Sequence, residues 1–137
     1  MAQVILGADV EALVRTYLLT ELNARPAYTG TVVATRVPED RETLPRFVTV
    51  IAIGGAGRSN VIFDEVNVTI DAWALDSPAA HALAQLCRGL LHNISTVGGV
   101  QFYTVTDFSA PANLPDPTTG QARYRATYAI RVRGVAE

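Results

Sequence analysis

The sequence predicts an α+β domain, a mostly antiparallel β-sheet with two helices packed on one face, in the order α-β-β-β-α-β-β. Three observations carry this. Two segments repeat apolar residues at helical spacing, five runs are extended and mostly alternate with period two, and most consecutive strands are joined with no helix between them. Strands joined without crossovers pair antiparallel, and two amphipathic helices then have one sheet face to cover. At 137 residues, 49% hydrophobic and 18% charged, the chain has the balance of a single globular domain, residues 1–137, able to bury its own core.

Asp9 is placed to cap the first helix, in which Val10, Leu13, Val14, Tyr17, Leu18 and Leu22 share one stripe. Asn23 to Pro26 ends it, because the residue before a proline avoids the helical region. GTVVATRVP, residues 30–38, reads as a short strand, and EDRETLP as an exposed loop. RFVTVIAI, residues 46–53, sets Phe47, Thr49, Ile51 and Ile53 against Val48, Val50 and Ala52, two apolar faces that predict a strand covered on both sides. GGAGRSN breaks it. VIFDEVNVTIDAWAL, residues 61–75, then places Val66, Val68, Ile70, Ala72 and Ala74 opposite Asn67, Thr69, Asp71 and Trp73. The two runs predict a hairpin with a long tip.

Ser77 followed by Pro78 predicts an N-cap with proline at the first helical position, and Asp76 just ahead suits the helix dipole. Leu83, Cys87, Leu90 and Ile94 mark the apolar stripe of this second helix, which Gly98 and Gly99 close. VQFYTVTDF, residues 100–108, is a strand. SAPANLPDPTTGQA, residues 109–122, is a proline-rich loop, and RYRATYAIRVRG, residues 123–134, is the last strand.

The totals narrow the function. The net charge of -2 provides no diffuse basic field for nucleic acid. Cys87 is the single cysteine, so no disulfide forms within the chain and a reducing compartment is expected. No signal peptide and no run of the roughly 18 apolar residues needed for a membrane span is read from the sequence. Catalytic patterns fail on spacing. His81 and Cys87 lie six positions apart, about 240° around a helix, and His92 is about 140° from Cys87. GGAGRSN has Arg58 where a phosphate loop needs its lysine spacing, and a strand rather than a helix follows. Asp64 and Glu65 are neighbours at an expected bend, Asp71 stands alone on its strand, and Asp107 precedes the proline-rich loop. No His, Cys, Asp and Glu cluster has metal-ligand spacing. No enzyme, cofactor or metal is expected, and Trp73 is read as a packing residue.

The last strand is the unusual feature. All eleven basic residues are arginine, and period-two alternation puts Arg123, Arg125, Arg131 and Arg133 on one face, opposite Tyr124, Ala126, Tyr128, Ile130 and Val132. Four guanidinium groups over roughly 33 Å of strand are not buried without acceptors. The face is then solvated with pairs to Asp71 or other carboxylates, or meets nucleic acid, or lies at a contact between protein chains, where arginine is enriched. Two loops are fenced by prolines, VPEDRETLPR by Pro38 and Pro45, and PANLPDPTTG by Pro111, Pro115 and Pro117. Prolines lower the unfolded entropy of such loops and let them present a fixed surface.

Read in order, FVTVIAIGG, VNVTIDAWALDSPAAHALAQLCRGLL and LPDPTTGQARYRATYAIRVRG resemble the tail-terminator proteins of long-tailed bacteriophages, above all those infecting actinobacteria. The shared features are a strand ending in Trp73-Ala74, an alanine-rich helix from Ser77, a Pro115-Asp116-Pro117 turn leading to Arg-Tyr, and a closing strand ending Arg133-Gly134. The resemblance spans residues 46–134; Ala110-Pro111 departs from the Gly-Pro expected there. It implies a structural virion protein, assembled in the host cytoplasm and located at the head-proximal end of the tail. Members form six-fold rings on the last ring of the tail tube, stop its polymerisation and dock onto the head's connector, while DNA only passes through the lumen. The implied partners are other copies of the chain, the major tail tube protein and a head-completion or connector protein, with no membrane. Such a ring needs a heterologous interface that closes. The candidate contact residues are Arg123 and Arg125, nearest the loop and expected to meet a partner carboxylate, and Arg131 and Arg133, expected to line an edge or lumen instead, with Arg41, Arg46, Arg58 and Asp116 from the loops. An arginine-rich lumen would retard DNA, so compensating acids such as Asp64, Glu65 or Glu137 are expected. The rival readings are a head-completion, stopper or other neck protein, and a small nucleic-acid-binding accessory protein.

Overall fold

A computed structural model describes residues 3–137 and bears out the α+β class, the two helices and their order among the main strands. The chain opens with a short strand, β1 (Ile5–Leu6), followed by helix α1 (Val10–Asn23). Asp9 caps α1 as expected, its Oδ1 accepting from the Ala12 N–H at 3.1 Å. Then come β2 (Val32–Ala34), β3 (Arg46–Ala52), β4 (Gly57–Arg58) and β5 (Phe63–Ala74), helix α2 (Ser77–His92), and β6 (Thr96–Val97), β7 (Val100–Asn113), β8 (Ala122–Arg133) and β9 (Val135–Ala136).

The main sheet runs β2-β3-β5-β8-β7-β6, with β4 folded back on β5. Every pairing in it is antiparallel except β2 with β3. β3 and β5 form the expected hairpin. Its tip is built on glycine: Gly55 has φ +129°, and a Cβ there would lie 2.6 Å from the Glu65 carbonyl oxygen. A separate two-stranded ribbon joins the chain ends, Leu6 facing Val135.

Both helices cover the same face of the sheet. Val10, Val14, Leu18 and Leu22 of α1 and Leu83, Cys87, Leu90 and Leu91 of α2 bury against Val48, Val50, Val68, Ile70, Tyr128, Ile130 and Val132. These strand residues are the even-numbered side chains that alternation assigns to one face. The opposite face has a small buried cluster of its own, Phe47 stacked on Trp73 with ring centroids 5.1 Å apart. β3 is therefore covered on both sides near its start, and Trp73 is a packing residue, as expected.

Several boundaries differ. Asp76, not Ser77, caps α2, its Oδ1 accepting from the Ala79 N–H at 2.9 Å; Ser77 is already helical. The helix stops at His92, and Gly98 and Gly99, with φ +56° and +77°, instead form the turn between β6 and β7. The strand expected over 30–38 is only three residues long, since β2 pairs with β3 solely from Val32 to Ala34. Asp64 and Glu65 lie within β5, paired with Arg58 and Gly57, rather than at a bend. The largest correction is β7. It continues through Asp107, Ser109 and Pro111 to Asn113, so only residues 114–121 remain as loop. Three register shifts against β8 admit this irregular segment into the ladder. The prolines misled because edge strands tolerate them, and β7 has no strand on its outer side beyond Gln101 among the described residues.

Candidate interaction surface

The four arginines of β8 do share the sheet face turned away from the helices, and the register gives each a different setting. Arg125 stands opposite Asp71 on β5; its Nε and Nη2 donate to Oδ1 and Oδ2 at 2.8 and 3.0 Å. Asp71 is only 4% exposed, so this fork supplies what a buried carboxylate requires. The bond to Asp71 in turn pushes the Arg125 pKa further up. Arg123 faces Trp73, its guanidinium 5.0 Å from the ring centroid and its Nε donating to the Leu114 carbonyl at 2.8 Å.

Arg131 and Arg133 are held more loosely. Arg131 lies 4.8 Å over the Phe63 ring and reaches the Ser59 hydroxyl at 3.4 Å. Arg133 reaches the Tyr103 hydroxyl, also at 3.4 Å. Among the described residues neither forms an ion pair. The open half of the face thus presents guanidinium groups beside Phe63, Tyr103 and Ala129. Arg58, in the glycine-rich tip, is tied down by donating to the Ile5 carbonyl at 2.6 Å. Asp64 and Glu65 line a surface depression together with Arg58 and Arg131.

The two proline-fenced loops meet. Arg41 donates to Asp116 Oδ2 and Thr119 Oγ1, each at 2.9 Å, and to Gln121 Oε1 at 3.2 Å. Its guanidinium also lies 5.0 Å from the Trp73 centroid. The other Asp116 oxygen accepts from the backbone N–H groups of Thr118 and Thr119. Arg41 first, and then the Thr118 N–H, hold the Asp116 carboxyl down at about 2. Arg46 is different: its guanidinium lies 5.4 Å over Tyr28 and makes no hydrogen bond or ion pair among the described residues.

The remaining titratable side chains are structural. Cys87 is buried in the core, and desolvation pushes its thiol up to about 12. His92 Nε2 lies 2.8 Å from Asp107 Oδ1, and Arg88 binds the other carboxylate oxygen, which ties α2 to β7. Arg88, followed by His92, keeps the Asp107 carboxyl below its usual range. No group of three or more His, Cys, Asp or Glu residues could hold a metal ion among the described residues. Sequence reasoning missed Phe108, 70% exposed on the outer edge strand, and the contact between loops through Arg41. In sequence Phe108 marks only the end of a strand before a proline-rich stretch, and no spacing rule links residues 75 apart.

No family model matches the chain, and no curated protein is similar to it in sequence. Its fold is shared. A chain in the solved virion of a native gene transfer agent (GTA) particle superposes with a TM-score of 0.63 at 14% identity, over 93% of this chain and 100% of that one. At that identity the likeness is one of fold, extending over the whole of the GTA chain.

Proposed function

We propose that residues 1–137 act as a single structural virion domain, a tail terminator: a ring of copies that caps the tail tube, ends its polymerisation and offers the surface that joins the head. The observation carrying this reading is the superposition along the full length of a chain from a virion particle. The order of motifs from Trp73-Ala74 to Arg133-Gly134 adds to it. No chemistry is asked of the protein. Its work is to be a rigid shape, and the fork of Arg125 on Asp71 and the clip of Arg41 on Asp116 make the open sheet face and its loops rigid.

In this reading Arg131 and Arg133, which form no ion pair among the described residues, take acidic groups of a neighbouring subunit, the tail tube protein or the head connector. Arg123 and Arg125 act indirectly, by holding the surface in shape. That division also weakens the nucleic-acid rival, since two of the four guanidinium groups on β8 are anchored within the chain at 2.8 Å, Arg125 on Asp71 and Arg123 on the Leu114 carbonyl. Electron microscopy of the purified protein added to uncapped tail tubes tests the proposal. Rings seated at one end of each tube, with elongation arrested, are expected. Tubes that grow to normal length without the protein, or rings seated on isolated connectors and never on tubes, would overturn it in favour of a stopper or another neck component.

A further inference from the structure

Between the turn at residues 26–28, the start of β3 and the first turns of α2 lies a cleft of about 270 Å³. Tyr28, Pro45, Ala74, Leu75, Ala79 and Ala82 give it apolar walls, Asp76 also lines it, and Arg46 stands at it with a guanidinium that makes no hydrogen bond among the described residues. Elsewhere on the molecule Phe108 lies on β7 at a register shift between Asp107 and Ser109, and it is 70% exposed. The backbone beside Phe108 faces no other strand on that side among the described residues. We propose that Phe108 of one copy enters the cleft of the next, so that the chain associates head to tail through these two surfaces.

Size, chemistry and position agree. A cavity of about 150 Å³ already accepts benzene, so this cleft has room for a phenyl ring and part of its backbone. An exposed aromatic ring and an apolar hollow each gain by leaving water, about 150–250 Å² for a phenylalanine. The Arg46 guanidinium is a donor fork, and carbonyl groups along the β7 edge, which pairs with no strand beyond Gln101 among the described residues, are acceptors. The two surfaces cannot satisfy each other within one chain. β7 and β3 are three strand steps apart, about 14 Å, and Arg46 lies a further five residues, about 17 Å, along the strands. A protrusion and a hollow at separate places make a heterologous contact, the kind that builds rings or filaments rather than closed two-fold dimers.

This inference rests on the ring reading and names the contact that would build it. The test uses the full chain and two surface variants, Phe108→Ala and Ala82→Trp, whose folding is checked by thermal unfolding; Ala79→Trp replaces the second if it melts early. Mass in solution is measured over rising concentration, and ring formation on tail tubes is counted alongside. Each variant alone should associate at least about tenfold more weakly than the parent, as loss of a central aromatic anchor does. Mixed in equal amounts, the variants hold one intact protrusion and one intact cleft, so they should form pairs and nothing larger. Parent rings that persist in Phe108→Ala, or mixtures that grow past pairs, would overturn the contact and leave the ring reading standing. A parent that stays monomeric both alone and on tubes would overturn both.

Discussion

Arg41 Nη2 lies 2.9 Å from Asp116 Oδ2, across 75 residues of sequence, and the same guanidinium rests 5.0 Å from the centre of Trp73. One side chain thereby fastens two loops to each other and to the sheet. The Asp116 carboxyl is depressed to about 2 from 3.8, so the contact favours the folded form above pH 4 and is lost as the pH falls from about 4 toward 2. Trp73 is the only tryptophan, so its emission should shift across that window while far-ultraviolet ellipticity, which reports the core, changes separately. In Arg41→Ala the emission should already be shifted at pH 7 and lose its acid transition. An unchanged acid transition in that variant would show that the clip does not govern it.

Arg125 and Asp71 allow a different test. Arg125→Ala leaves a carboxylate that is 4% exposed without its partner, which should cost roughly 2–4 kcal/mol. That is less than for a wholly buried pair, because nearly half of the guanidinium side chain is in solvent. Removing both charges, Asp71→Asn with Arg125→Gln, should restore much of the loss. Urea unfolding of the three proteins reads this directly; equal losses in the single and double variants would mean the pair is not coupled. Loss of assembly in Arg125→Ala therefore has to be judged against its lower stability.

Arg131→Ala and Arg133→Ala should behave in the opposite way. Both reach hydroxyl groups at 3.4 Å and Arg131 also lies over the Phe63 ring, so folding stability should change by less than about 0.5 kcal/mol for Arg133 and by no more than about 1 kcal/mol for Arg131. Capping of tail tubes should fall, most of all in the double variant. A double variant that caps like the parent would remove these residues from the interface.

The Cys87 thiol, pushed up to about 12 by burial, should stay unreactive toward a thiol reagent at pH 8 in the folded protein. Full reactivity should appear on unfolding in denaturant. Prompt labelling of the native protein would mean that α2 opens readily.

Leu83 is fully enclosed between α2 and the sheet, and Leu83→Ala should lower stability by about 2–5 kcal/mol. Thermal unfolding measures it. A loss under about 1 kcal/mol would mean that this helix face is not the core.

Alternation and helical spacing by themselves determined most of this protein. They set which side chains of β3, β5 and β8 face the helices, which stripes of α1 and α2 turn inward, and that the β8 arginines share the other face. These are local consequences of period, and period is written in consecutive residues. What tertiary structure alone decided is pairing: that Arg125 meets Asp71, that Arg41 meets Asp116 and Trp73, and that Arg46 lies over Tyr28. It also decided how far β7 runs, because an edge strand accepts Pro111 and bulges that would stop a central one. Register between strands distant in sequence is chosen by the whole sheet at once, and no window of residues contains it.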